Sequence, residues 1–358
     1  MKDIRRRVAD LLPGRNYAAM ITSKVSRKYV TGFGSSAGIV LITRTNDYFF
    51  IDARYYEKAV DEVHGYEVIL LKDFKKQMSD ILTAERINNI LIENREMTVA
   101  ELSEAEEKFP GIKFDGSGKL SDFLEKARLI KSKEEIAKIE KAQRIAEKAF
   151  MKLLDKIKPG HTERQIAALL DFYMMDFGSD GSAFETIAAS GKHSAIPHAS
   201  PTEKLLQKGE FLTLDFGASL DGYCSDMTRT VVIGKEAADK EMLRVYNAVL
   251  GANSDAMKAI RDDISGKLVD NVARSTLDAW GYEKYFTHGL GHGVGLEVHE
   301  QPTLSVKSTS TLREGMVVTV EPGVYIPHSF GVRIEDMVVV TADGCYSLAK
   351  TPKALAYI

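Results

Sequence analysis

LTLDFGASLDGYCSDMT, residues 212–228, is the stretch that decides the fold. It opens as an apolar strand, and a period of two puts Thr213 and Asp215 on one face and Leu212, Leu214 and Phe216 on the other. An acid inside an apolar strand needs a partner, because burying uncompensated charge is costly. Asp226 follows on what reads as the next strand. The same plan recurs in MVVTVEPG (316–323) and GVRIED (331–336), where Thr319 and Glu321 face away from Val318 and Val320 and Glu335 is the second acid. The apolar faces should pack on helices and the acidic faces should line a cleft. Two half-sites of this kind imply a pseudo-twofold α+β unit with carboxylates from both halves around a shared centre.

Helical signals precede each half. Ser132 and Glu135 form a capping box for a helix starting near 133, and Thr162 and Gln165 cap a second that runs to Gly178. Further helical stretches are expected over 236–262 and 266–280. Upstream, YAAMITS (17–23), GIVLITRTNDYFFIDARYY (38–56), YEVILL (66–71) and NNILIEN (88–94) read as strands, with a helix over 73–86. Residues 38–56 form two strands joined at Thr45-Asn46-Asp47. This is an α/β pattern with a mixed sheet and no catalytic constellation of its own. The boundary falls near 128–132, giving domains 1–130 and 131–358.

At 358 residues two domains are the default, and 44% hydrophobic with 28% charged residues is ordinary for a globular protein. A formal charge of −3 gives no electrostatic reason to expect nucleic acid or an anionic membrane as partner. The apolar runs are short for a membrane span, and MKDIRRRVADLLPGRN reaches Pro13-Gly14 before a signal-length run, so cytoplasmic residence is expected. Cys224 and Cys345 are the two cysteines, which excludes a disulfide framework and a CxxC metal site. Cys224 would share a face with Asp226 but reads as a small half-buried residue.

Asp215, Asp226, His292, Glu321 and Glu335 form an oxygen-rich set suited to two divalent first-row ions rather than a thiolate-bound zinc. Such ions would offset the carboxylate charges, whose burial together is otherwise very costly. His288-Gly-Leu-Gly-His292 has helical zinc-site spacing, but its glycines exclude a comfortable helix. In extended geometry the two imidazoles share a face, one for metal and one for substrate. His198 and His299 lie near glycine or proline in the same half, Arg333 alternates in phase with Glu335, and Tyr325 follows Glu321 in the loop.

The ordered set LDFGA, CSDMTRT, HGLGHGVGLEVHE, VEPGVYIP and GVRIED resembles the pita-bread metallopeptidases, and within them the Xaa-Pro aminopeptidases and prolidases. KYVTGFGSS and IDARYYEKA resemble the creatinase-type N-terminal domain of those enzymes. The resemblance implies that Asp226 and Glu335 bridge two metal ions, that Asp215 completes one site, and that His292 and Glu321 complete the other. It implies that His198 meets the substrate near the scissile bond, that His288 lines the pocket beyond it, and that His299 stabilises the tetrahedral intermediate. Arg333 and Tyr325 are the remaining substrate-binding candidates, and Glu321, His299 and His198 the catalytic ones. Manganese is the expected ion, with cobalt, zinc or iron as alternatives. The expected activity is hydrolysis of the bond between an N-terminal residue and a following proline, by a hydroxide activated between two metals, in a homodimer. A prolidase restricted to dipeptides, a broader aminopeptidase and a non-catalytic peptide-binding relative are the competing readings; metal occupancy separates the last from the rest.

Overall fold

The computed structural model describes residues 4–234 and 238–358 and divides into two compact units, Met1–Arg128 and Leu129–Ile358. The first unit is built on a six-stranded sheet ordered Glu67–Leu70, Asp47–Ile51, Ile39–Ile42, Tyr17–Ile21, Asn89–Ile92 and Lys113–Asp115. Both pairings of Ile39–Ile42 are antiparallel and the other three are parallel, which is the mixed sheet expected. The Thr45-Asn46-Asp47 hairpin forms where its composition places it, and Glu85 secures it by accepting from the hydroxyls of Thr43, Thr45 and Tyr48. The helix expected over 73–86 spans Phe74–Ala84, capped by Asp73. The sheet buries both faces, with Ala19, Val40 and Phe49 on one and Ala18, Leu41 and Phe50 on the other.

In the second unit each half consists of a helix pair laid over a small antiparallel sheet. Lys133–Leu154 and Glu163–Asp176 form the first pair, and both begin with the capping boxes read from the sequence. They pack on the three-stranded sheet Met227–Val232, Phe211–Phe216, Ile187–Ser190. Leu212, Leu214 and Phe216 face these helices, with Phe150 stacked on Phe216 at 5.6 Å between ring centroids. The second pair, Lys240–Ala259 and Gly266–Ala279, covers strands Val317–Val320 and Asp336–Val340 of a five-stranded sheet. Val318 and Val320 point into that core beside Val249, Ala252 and Ala273. Residues 236 and 237, at the expected start of this stretch, lie outside the described residues. Burying one face of each sheet leaves the other face, with its threonines and acids, to line a cavity.

One sequence expectation needs correcting. Asp215 alone lies inside a strand, whereas Asp226, Glu321 and Glu335 each sit at a break just before or after one. A continuous strand sends alternate side chains out parallel to one another, and breaks in the ladder free Asp226, Glu321 and Glu335 from that direction so that they can turn toward Asp215. For the same reason Arg333 and Glu335 do not share a strand: Arg333 ends Phe330–Arg333 and Glu335 precedes Asp336–Val340. No helix among the described residues is long and apolar enough to cross a membrane.

Candidate active site

Nine of the ten candidate residues line one cavity of about 510 Å³ in the second unit: His198, Asp215, Asp226, His288, His292, His299, Glu321, Arg333 and Glu335. Tyr325 stands one layer behind, its ring buried and its hydroxyl bonded to two of the lining residues.

His292 enters on the short strand Gly291–Gly293, which lies between Glu300–Leu304 and Val317–Val320. A Cβ at Gly291 would collide with the Thr319 carbonyl and one at Gly293 with the Gln301 carbonyl, so these glycines let the histidine strand pack closely. Thr319 Oγ1 accepts from the His292 backbone N–H at 3.0 Å and donates to Glu321 Oε1 at 3.0 Å, fixing two site residues with one hydroxyl. His292 Nε2 lies 3.2 Å from Glu321 Oε1 and 3.7 Å from Asp226 Oδ2. Ligand atoms of Asp226, His292 and Glu335 lie within 4.8 Å of one another.

Glu335 is held along its whole length. Its N–H donates to the Thr228 carbonyl at 3.1 Å, its carbonyl accepts from Arg229 Nη1 at 2.6 Å, and its Oε2 accepts from Thr228 Oγ1 at 2.7 Å. The Thr228 hydroxyl also accepts from Arg333 Nε at 3.1 Å. Arg333 Nη2 reaches Asp215 Oδ2 at 2.6 Å, and Nη1 donates to the Tyr325 hydroxyl at 2.7 Å and the Pro197 carbonyl at 3.1 Å. His288 Nδ1 is 2.8 Å from the Gly289 carbonyl and so carries the proton. Its bare Nε2 then accepts from the Tyr325 hydroxyl at 2.9 Å. A chain His288–Tyr325–Arg333–Asp215 results. Thr228 was missed by the sequence reading; it faces Asp215 across the strand pair, a relation visible only once the register is known.

The electrostatics are those of a carboxylate cluster without enough cations. Burial, then the charges of Glu335, Asp215 and Glu321, pushes Asp226 well above the usual carboxylate range. Burial, then Glu321 and Asp215, does the same to Glu335. Glu321 is the exception: burial alone would raise it, but the hydrogen bond and charge of His292, with His288 and Arg333, hold it down at about 2. Burial lowers His288 and His299, and it pushes Tyr325 up to about 12. His299 is exposed at the cavity, with its ring 4.3 Å from that of His292, and His198 is an exposed lining residue of the same cavity. Cys224 is buried, its thiol raised to about 12 by burial, and its Sγ contacts the Leu296 carbonyl rather than the cavity.

Two buried carboxylate oxygens, Asp215 Oδ1 and Glu335 Oε1, have no hydrogen-bond partner among the described residues. Buried carboxylate oxygens without donors are costly unless a cation meets them. With an imidazole and two further carboxylates beside them, the donor set fits hard-to-borderline divalent ions.

A buried, donor-poor carboxylate cluster with one imidazole, facing an open cavity, defines a metallohydrolase-type centre. Residues 137–342 match the model of metallopeptidase family M24, residues 15–130 match the creatinase/prolidase N-terminal domain, and the chain belongs to this family. It is a metallopeptidase with the pita-bread catalytic fold, and the family implies divalent metal ions. The chain is similar to an uncharacterized peptidase of Bacillus subtilis, YqhT, with 40% identity over 94% of each chain. It is 37% identical to a Xaa-Pro dipeptidase of Pyrococcus horikoshii, again over 94% of each. The crystal structure of an X-Pro aminopeptidase from Thermotoga maritima superposes with a TM-score of 0.93 at 36% identity, covering 99% of this chain and 100% of that one.

Proposed function

We propose that the protein removes an N-terminal residue from peptides whose second residue is proline. The observation that carries this is the convergence of Asp215, Asp226, His292, Glu321 and Glu335 on one cavity, two of them with unpartnered buried oxygens. The similarity to enzymes named for Xaa-Pro cleavage supplies the substrate class.

Asp226 and Glu335 would be shared between two ions, Asp215 would complete one site, and His292 with Glu321 the other. Manganese is our choice, with cobalt, zinc or iron as alternatives. When bound, divalent ions would polarise the scissile carbonyl and acidify the attacking water. Glu321, ionised at neutral pH, takes the water's proton at its carboxylate and delivers it to the leaving nitrogen. His299, whose pKa partial desolvation lowers, donates toward the oxyanion. His198, which lines the same cavity, contacts the substrate near the scissile bond. His288 and Arg333, joined through Tyr325, shape the side that receives proline. Proline's nitrogen has no hydrogen to donate, so recognition must come from the shape and faces of such a pocket.

Cytoplasmic residence and a homodimer belong to the same reading. So does the domain division at 130/131. Chelation should abolish Ala-Pro cleavage and Mn²⁺ should restore it. Full activity after verified metal removal would refute the metal-dependent mechanism. Comparing Ala-Pro with Ala-Pro-Ala then decides between a dipeptidase and an aminopeptidase.

A further inference from the structure

Asn253 is fully buried in the Lys240–Ala259 helix, among the apolar residues that pack on the second sheet. A buried amide must find partners for both ends. Its Nδ2 donates to the Val320 carbonyl at 2.8 Å and to the Ile334 carbonyl at 3.3 Å. Those residues immediately precede Glu321 and Glu335, so one side chain ties together the two segments that carry the glutamates. Its Oδ1 accepts from Lys353 Nζ at 2.8 Å, and the same ammonium pairs with Asp336 Oδ2 at 2.6 Å. Asp336 Oδ1 receives Arg229 Nη2 at 2.8 Å, and Arg229 Nη1 closes the circuit on the Glu335 carbonyl. Lys353 is anchored in turn. Residues 356 and 358 exchange backbone bonds of 2.9 Å with Val232.

We propose that Asn253, oriented by Lys353, is a positioning residue that sets the separation of Glu321 and Glu335 for divalent metal. An ammonium only donates, so the amide atom facing Lys353 must be the oxygen. The NH₂ group is thereby aimed at both carbonyls. Without Lys353 the amide can turn, and the clamp on the two glutamate segments is lost. Metal sites tolerate little error in the spacing of their ligands, and groups behind the ligands typically govern affinity. The inference rests on the reading of Glu321 and Glu335 as ligands, and it adds a residue from the 351–358 segment to the apparatus of the site.

The test is calorimetric titration of metal-free, full-length protein with Mn²⁺. Lys353→Met should weaken Mn²⁺ binding about 10-fold or more, while Lys353→Arg, which keeps a donor-only cation, should retain most of the affinity. Leu277→Ala, in the apolar core of the neighbouring helix and outside the network, serves as the control for loss of stability alone. It should lower the unfolding temperature and leave Mn²⁺ affinity unchanged. Wild-type affinity in Lys353→Met, or an equal loss in Leu277→Ala, would overturn the positioning role. A wild-type protein that binds no Mn²⁺ would instead overturn the ligand reading beneath it.

Discussion

Thr228→Val removes one hydroxyl and almost no volume. That hydroxyl donates to Glu335 Oε2 at 2.7 Å and accepts from Arg333 Nε at 3.1 Å, and Thr228 is fully buried. The valine methyl takes the place of the hydroxyl, so both partners are left short. A buried group deprived of its partner costs about 1–3 kcal/mol, and more when charged. In metal-free protein Glu335 lies at the low end, because burial and the charges of Glu321 and Asp215 raise its pKa and favour the neutral acid. Arg333 keeps its bonds to Asp215, Tyr325 and Pro197, which limits its share. The sum is about 2–4 kcal/mol, or about 5–15 °C in the unfolding temperature for a domain of this size. With metal, Glu335 must be ionised and correctly turned, so Mn²⁺ affinity should also fall by about 10–100-fold. Calorimetric scans with and without Mn²⁺, together with a direct titration, give both quantities. An unfolding temperature within about 1 °C of wild type and unchanged Mn²⁺ affinity would refute the claim that this hydroxyl braces the carboxylate, since the expected loss is several-fold larger.

Two other outcomes follow from the same geometry. Glu321→Gln should lower kcat by about 10²–10⁴-fold, since an amide cannot take the water's proton; metal content measured alongside must stay high, and near-normal kcat at full occupancy would remove Glu321 from that role. In the first unit, burial would raise Glu85, but hydrogen bonds from Tyr48, Asn46, Thr45 and Thr43 outweigh it and leave its pKa lowered. A depressed carboxyl pKa gives stability that is present above the unfolded value of about 4.3 and is lost as pH falls through the folded one. Amide protection factors in Asp47–Ile51 should therefore fall on acidification in wild type, and Glu85→Gln should show lower protection at neutral pH but a flatter dependence on pH. Equal acid sensitivity in both proteins would contradict this.

What the sequence made legible was local or periodic. Ser132–Glu135 and Thr162–Gln165 each place a helix start to the residue, because a capping box is completed within four positions. The alternation in LTLDF and VVTVE separates helix-facing from cavity-facing side chains without knowledge of the partner strands. The acids are readable as a group because they punctuate apolar runs, and the histidines by their glycine and proline neighbours. The helix Ile4–Leu11, rich in arginine, is hard to read from sequence because it is only eight residues long, although Ile4, Val8 and Leu11 fall on one face. The breaks that hold Asp226, Glu321 and Glu335 were read as strand, since composition alone does not mark where a ladder stops. Thr228, Asn253 and Lys353 carry no local signal at all. Each acts through a partner distant in sequence, Glu335 for Thr228 and the pair Val320 and Ile334 for Asn253, and so belongs to the tertiary structure.

Cleavage before proline is tested most directly by kcat/KM on matched Xaa-Pro and Xaa-Ala peptides with Mn²⁺ present. Ala-Pro and Met-Pro should exceed Ala-Ala and Met-Ala by about 100-fold or more, since the pocket formed by His198, His288 and Arg333 is read as fitting the pyrrolidine ring. A ratio near one, or a preference for Met-Ala, would contradict the account and move the enzyme to a general or methionine-type aminopeptidase.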